Sequence, residues 1–78
     1  REHGEGRSDV IVYDSSEGRV AVFEVKYSKK LEDMSKDCEK ALQQIDTKLY
    51  AKEYEDDYDE VLCFGISFFK KRCIVKKK

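Results

Sequence analysis

The apolar positions of this chain change their period twice. Val10-Ile11-Val12-Tyr13 and the stretch 19–27 are dense in β-branched and aromatic residues and are parted by Ser15-Ser16-Glu17-Gly18, which is turn material. This predicts a β-hairpin. Its apolar residues fall on both faces, so a helix is expected over one face and further structure over the other. From Leu31 onward, Leu31, Met34, Cys38, Ala41 with Leu42, Ile45 and Leu49 recur at three- and four-residue steps among Glu, Asp and Lys. That spacing predicts an amphipathic helix of about six turns, with Ser28 or Ser35 as the candidate cap and the acidic stretch after Ala51 at its far end. The stretch 61–69 then reads as a buried strand, Lys70-Lys71 as a turn and 72–75 as a shorter return strand. The order is ββαββ. A strand, a long helix and another strand imply a crossover, right-handed if the two strands are parallel neighbours.

Composition narrows the class. With 78 residues, 40% hydrophobic and 42% charged, the chain is a single small domain, 1–78, too apolar for a disordered tail and too polar for a membrane protein. No apolar run approaches the roughly 20 residues that cross a bilayer, and the start shows no signal peptide, so a cytoplasmic protein without membrane contact is expected. The absent initiator Met suggests a piece of a longer protein. Net charge is only −1, which advertises no global attraction to nucleic acid. The charges are nevertheless uneven: 53–60 is acidic, whereas Lys70-Lys71-Arg72 and Lys76-Lys77-Lys78 are basic, and these cations are either solvated ends or phosphate contacts. Three cysteines without CxxC spacing read as buried thiols in a reducing compartment. With a two-residue turn at Lys70-Lys71, Phe68 faces Cys73, while Cys63 belongs to the other face of the sheet.

The hairpin carries the chemistry. A loop centred between Ser16 and Glu17 pairs residues whose numbers add to a constant, so Asp14 faces Arg19, Asp9 faces Glu24 and Arg7 faces Lys26. Two carboxylates about 5 Å apart repel by roughly 3 kcal/mol at an effective dielectric near 20. Two arrangements offset that cost. Arg7 and Lys26 neutralise the acids in a surface ladder without function, or Asp9 and Glu24 share a divalent cation of the magnesium or manganese kind, which prefers hard oxygen ligands. In the second arrangement Lys26 orients or deprotonates an attacking water and balances charge on a phosphate.

Gly6-Arg7-Ser8-Asp9 followed after one hairpin by Phe23-Glu24-Val25-Lys26 resembles the PD-(D/E)xK nuclease superfamily, whose motif is an Asp on one strand and Glu/Asp-x-Lys on the next. The chain looks most like the branch found C-terminal to AAA-type ATPase-like domains in bacteria and archaea. The lead-in Arg1-Glu2-His3-Gly4-Glu5-Gly6-Arg7-Ser8-Asp9, the helix segment Ala41-Leu42-Gln43-Gln44-Ile45 with the later Tyr50, and the strand Phe64-Gly65-Ile66-Ser67-Phe68 all carry that likeness. The resemblance implies an α/β, restriction-endonuclease-like core: a mixed β-sheet with one long helix, the family's N-terminal helix being absent. It further implies Asp9 and Glu24 as metal ligands with the Val25 carbonyl beside them, Lys26 as the catalytic lysine, Gln44 reaching the site from the helix, and Mg2+ or Mn2+ as cofactor.

The expected function is metal-dependent hydrolysis of phosphodiester bonds in nucleic acid, DNA in particular, with an ATPase-like domain in the parent chain. The alternative is a non-catalytic binding or regulatory module of the same fold that docks an ATPase domain or itself. A homo-oligomer through exposed strand edges is compatible with either. Other candidates carry less. His3 is the only histidine and lacks ligand-spaced partners, Cys38 lies on the apolar helix face without a His, and Tyr50, Tyr54 and Tyr58 read as rim packing or base stacking. No GxxxxGK[ST] or GxGxxG occurs, so nothing supports nucleotide hydrolysis by this chain.

Overall fold

The computed structural model describes residues 7–47 and 54–78. Strand β1 (Arg7–Asp14) turns through a 3₁₀ step, Ser15–Glu17, into β2 (Arg19–Tyr27). Gly18 closes the turn in the left-handed region (φ 67°), where a side chain is strained, and its N–H donates to the Ser15 carbonyl at 3.2 Å. A second 3₁₀ step, Leu31–Asp33, leads into helix α1 (Met34–Thr47), and strands β3 (Glu60–Phe69) and β4 (Arg72–Lys77) complete the order. The sheet runs β1-β2-β3-β4, with β2 and β3 parallel and both outer pairs antiparallel. This is the mixed α/β sheet with one helix expected of a restriction-endonuclease-like core.

Helix α1 covers one face of the sheet. Met34, Cys38, Ala41 and Ile45 are buried along it, at the three- and four-residue steps of one helical stripe; Ile45 packs with Val22 and Cys63 of the strands, and Val20 is buried beside Val22 on the same face of β2. Each fully buried aliphatic side chain contributes about 1.5–3 kcal/mol by leaving water. The helix can lie this low because Gly65 has no side chain: a Cβ there would sit 2.6 Å from the Cys38 carbonyl oxygen. Beside this contact the Cys38 thiol donates to the Gly65 carbonyl at 3.1 Å, and the Ser67 hydroxyl donates to the Met34 carbonyl at 2.7 Å.

The helix begins later than the periodicity suggested. Leu31 lies in the 3₁₀ step and is 48% exposed, because Lys30 before it is extended and turns the chain before the helix starts. The described α1 is 14 residues, close to four turns, while Leu49 and Tyr50 lie outside the described residues. Neither serine caps the helix. The Ser28 hydroxyl donates to Asp37 Oδ2 at 2.6 Å and Ser35 lies within the helix, where its oxygen accepts from Lys76 Nζ at 3.0 Å.

On the opposite sheet face, Phe23 stacks on Phe64 with centroids 5.0 Å apart and Tyr27 on Phe68 at 5.7 Å. Val12 remains 51% exposed and Val75 53%, so no described element covers this face and the second cover expected from the sequence is not among the described residues. Cys38, Cys63 and Cys73 are free thiols, and Cys73 stands opposite Phe68 as the hairpin arithmetic requires. Among the described residues, no helix is long and apolar enough to cross a membrane.

Candidate active site

The hairpin register is the one its turn chemistry predicts: Asp14 opposite Arg19, Asp9 opposite Glu24 and Arg7 opposite Lys26. The first pair is visible as an ion pair, with an Arg19 guanidinium nitrogen 2.8 Å from Asp14 Oδ2. That bond, seconded by the Ser16 hydroxyl at 3.0 Å, holds the Asp14 carboxyl below its ordinary range. It pins the turn end of the ladder, five residues from Asp9, and so fixes which residues stand opposite each other there.

Parallel pairing of β2 with β3 extends the row across the sheet. Glu24 stands between Asp9 on β1 and Gly65 on β3, and Lys26 stands between Arg7 and Ser67. The Glu24 side chain is fully withdrawn from solvent, and a carboxylate is kept in such a place only by opposing charge, hydrogen bonds or a cation. Lys26 is half-buried beside a cavity of about 220 Å³ lined with Tyr27, Lys29, Asp33 and Asp37.

Helix contacts decide which of its flanks overlooks this row. Lys76 reaches Glu39 at 2.8 Å and Lys78 pairs with Asp46, so that flank of α1 turns toward β4. The opposite flank, which carries Asp37 and Gln44 seven residues apart, turns toward β1 and β2, as the Ser28–Asp37 hydrogen bond requires. Met34 meets Ser67 while Ile45 packs with Val22 and Cys63, so α1 runs antiparallel to β2 and its N-terminus lies at the Lys26 end. Cys38 and Leu42 are the helix residues that meet Gly65, the β3 partner of Glu24, and Gln44 follows two positions after Leu42. Among the described residues its Oε1 is buried and has no hydrogen-bond partner.

The donor set suits a hard divalent cation. Magnesium keeps several waters and takes one or two carboxylates, which the Asp9 and Glu24 positions offer, with the Val25 carbonyl adjacent on the chain. Among the described residues no three His, Cys, Asp or Glu side chains are grouped so as to hold a metal ion. The lead-in Arg1, Glu2 and His3 lie outside the described residues. Sequence reasoning overlooked Asp33, Asp37 and Lys29 at the cavity. The seven-residue step from Asp37 to Gln44 was the available signal for one of them.

The family model described as the PD-(D/E)XK nuclease superfamily matches residues 1–78. The chain belongs to that superfamily. Comparison with curated proteins and with solved structures gave no match.

Proposed function

We propose that this chain is a nuclease core that hydrolyses phosphodiester bonds of nucleic acid, DNA in particular, with Asp9, Glu24 and the Val25 carbonyl holding Mg2+ or Mn2+. The observation that carries this reading is the register: two acids opposite each other and a lysine two positions on, on the sheet face that α1 covers. Superfamily membership over the whole chain supports it. When bound, the cation polarises the scissile phosphate and lowers the pKa of water. Lys26 orients that water and balances the developing negative charge from beside the cavity. Gln44 reaches toward this water from α1, as the family resemblance implies. The burial of Glu24 fixes its carboxylate and raises the strength of every interaction there by excluding solvent.

Association with an AAA-type ATPase-like domain in the parent chain rests on the lead-in motif and the Ala-Leu-x-Gln-Ile segment. The free thiols support a reducing compartment, the cytoplasm. A second reading, a non-catalytic module docking that ATPase-like domain or a second copy, draws on the apolar sheet face opposite α1.

Manganese titration of the isotope-labelled protein tests the metal site. Selective broadening of the Asp9, Glu24, Val25 and Lys26 amides, absent in Glu24→Gln, is expected together with Mg2+-dependent cleavage of DNA that Lys26→Ala and Glu24→Gln abolish. Broadening confined to the acidic stretch 53–60, with no cleavage, would move the conclusion to the docking module.

A further inference from the structure

Net charge conceals a strong separation of charge along the strands. The parallel pairing of β2 with β3 ends at Tyr27 and Phe68, and the Ser28 amide donates to the Phe68 carbonyl at 2.7 Å. Lys29 and Lys30 therefore leave the sheet at the same end as Lys70, Lys71 and Arg72, although some forty positions separate them in the chain. All five are exposed, and among the described residues none is in an ion pair, unlike Arg19, Lys76 and Lys78, which have carboxylate partners. Lys26, half-buried behind them, links this end to the Glu24 row.

Carboxylates gather at the other end. Asp14 and Glu17 flank the first turn, and Asp59 and Glu60 donate their amides to the Gly18 carbonyl at 2.7 and 3.1 Å, which brings Asp56 and Asp57 alongside. The nine residues of β2 separate the two ends by roughly 26 Å. Over about three Debye lengths at physiological salt the acidic end cannot cancel the field at the basic end. Among the described residues, the carboxylates that follow Lys29 and Lys30 at this end are Glu32, Asp33 and Asp37, and Asp37 already accepts from Ser28.

The turn itself is unfavourable for its residues. Lys70 has φ 54° in a two-residue turn between Phe69 and Arg72, where glycine is the least strained choice. Its ammonium lies 5.3 Å from the Phe69 ring centroid. A local preference has been overridden at the point where the cations concentrate.

We propose that Lys29, Lys30, Lys70, Lys71 and Arg72 form the surface that grips the phosphate backbone of duplex DNA beside the cleavage site. This rests on the nuclease reading and names the face from which the substrate approaches. Flanking phosphates run over the basic end, and Lys26 bridges from that contact to the scissile bond at the Glu24 row. The acidic end repels the same backbone and leaves one orientation of the protein on it.

Fluorescence anisotropy of a labelled 20-base-pair duplex in EDTA, over a series of NaCl concentrations, tests the proposal on the full chain. Five phosphate contacts give a slope of log K against log salt of about −4.5. Combining Lys70→Gly, Lys71→Ala and Arg72→Ala should flatten the slope by about 2.7, and the pair Lys29→Ala and Lys30→Ala by about 1.8, while Lys77→Ala on the far sheet face leaves it unchanged. The single exposed change Lys71→Glu, checked for native circular dichroism, gives the same direction without risk to the turn. An unchanged slope in these variants overturns the proposal, as does wild-type binding to phosphatidylserine vesicles with none to the duplex. Metal-dependent cleavage with an unchanged slope removes this surface alone. A flattened slope without metal binding at Glu24 leaves the surface and removes the nuclease reading.

Discussion

Replacing Gly65 by Ala probes the contact that seats the helix over the site. The added Cβ would stand 2.6 Å from the Cys38 carbonyl oxygen and 3.1 Å from the Leu42 amide nitrogen, both backbone atoms of α1, and 3.0 Å from Leu42 Cγ. Restoring ordinary van der Waals separation needs about 0.8 Å of movement, and no side-chain rotation can supply it. The helix must lift, which also strains the Cys38 thiol bond to the Gly65 carbonyl. Without a clash, Ala in a strand would stabilise by about 0.5–1 kcal/mol relative to Gly, because the unfolded chain loses freedom. With it, overpacking of a well-filled core costs about 1–3 kcal/mol, and the backbone contact argues for the upper part of that range. A net loss of about 2 kcal/mol corresponds to a melting temperature lower by roughly 8–16 °C in a domain of this size. Urea denaturation followed by far-ultraviolet circular dichroism measures it, with amide shifts of α1 as the local readout. Adding Leu42→Ala should not restore stability, since the nearest atom belongs to Cys38. A Gly65→Ala protein as stable as the wild type, with unmoved α1 shifts, would refute the account of how the helix is held.

Other outcomes are equally direct. Asp14 has a carboxyl pKa below its ordinary 3.8, mainly through the Arg19 hydrogen bond, so its contribution is present above that value and lost as pH falls through the folded-state value. Asp14→Asn should therefore reduce the acid sensitivity of unfolding below about pH 4, read from melting temperature against pH. Burial raises the Cys38 and Cys63 thiols, so iodoacetamide at pH 8 should modify exposed Cys73 first and the other two only on unfolding, as mass spectrometry resolves. Ser67→Ala removes the buried hydroxyl that donates to Met34 and should cost about 1 kcal/mol in urea denaturation without altering the hairpin shifts. Saturating Mn2+ should raise the melting temperature of the wild type and leave that of Glu24→Gln unchanged.

Much of the candidate site was legible because a hairpin is local. Ser15-Ser16-Glu17-Gly18 sets the turn centre, the turn centre sets the pairing, and the pairing brings Asp9 opposite Glu24 from numbering alone. The helical period was equally readable over Met34, Cys38, Ala41 and Ile45, since each must leave water on one side. The helix start was misread at Leu31, where an apolar residue continued the period but the extended Lys30 broke the helix. Periodicity reports which residues avoid water over a long window and is blind to one 3₁₀ step.

What the sequence determined by itself, then, is the order of elements and the hairpin register that sets Asp9 opposite Glu24 and Arg7 opposite Lys26. Tertiary structure alone decided the rest. The match of Arg19 to Glu60 across β2 and β3 is set by a crossover, and nothing in either strand's own pattern encodes it. That match gathers Lys29 and Lys30 with Lys70 and Lys71, and the absence of a side chain at Gly65 lets Cys38 and Leu42 of α1 lie close against β3. Neighbouring residues obey dihedral and periodic preferences that are written locally, whereas contacts across the crossover form only when the whole hydrophobic layer closes.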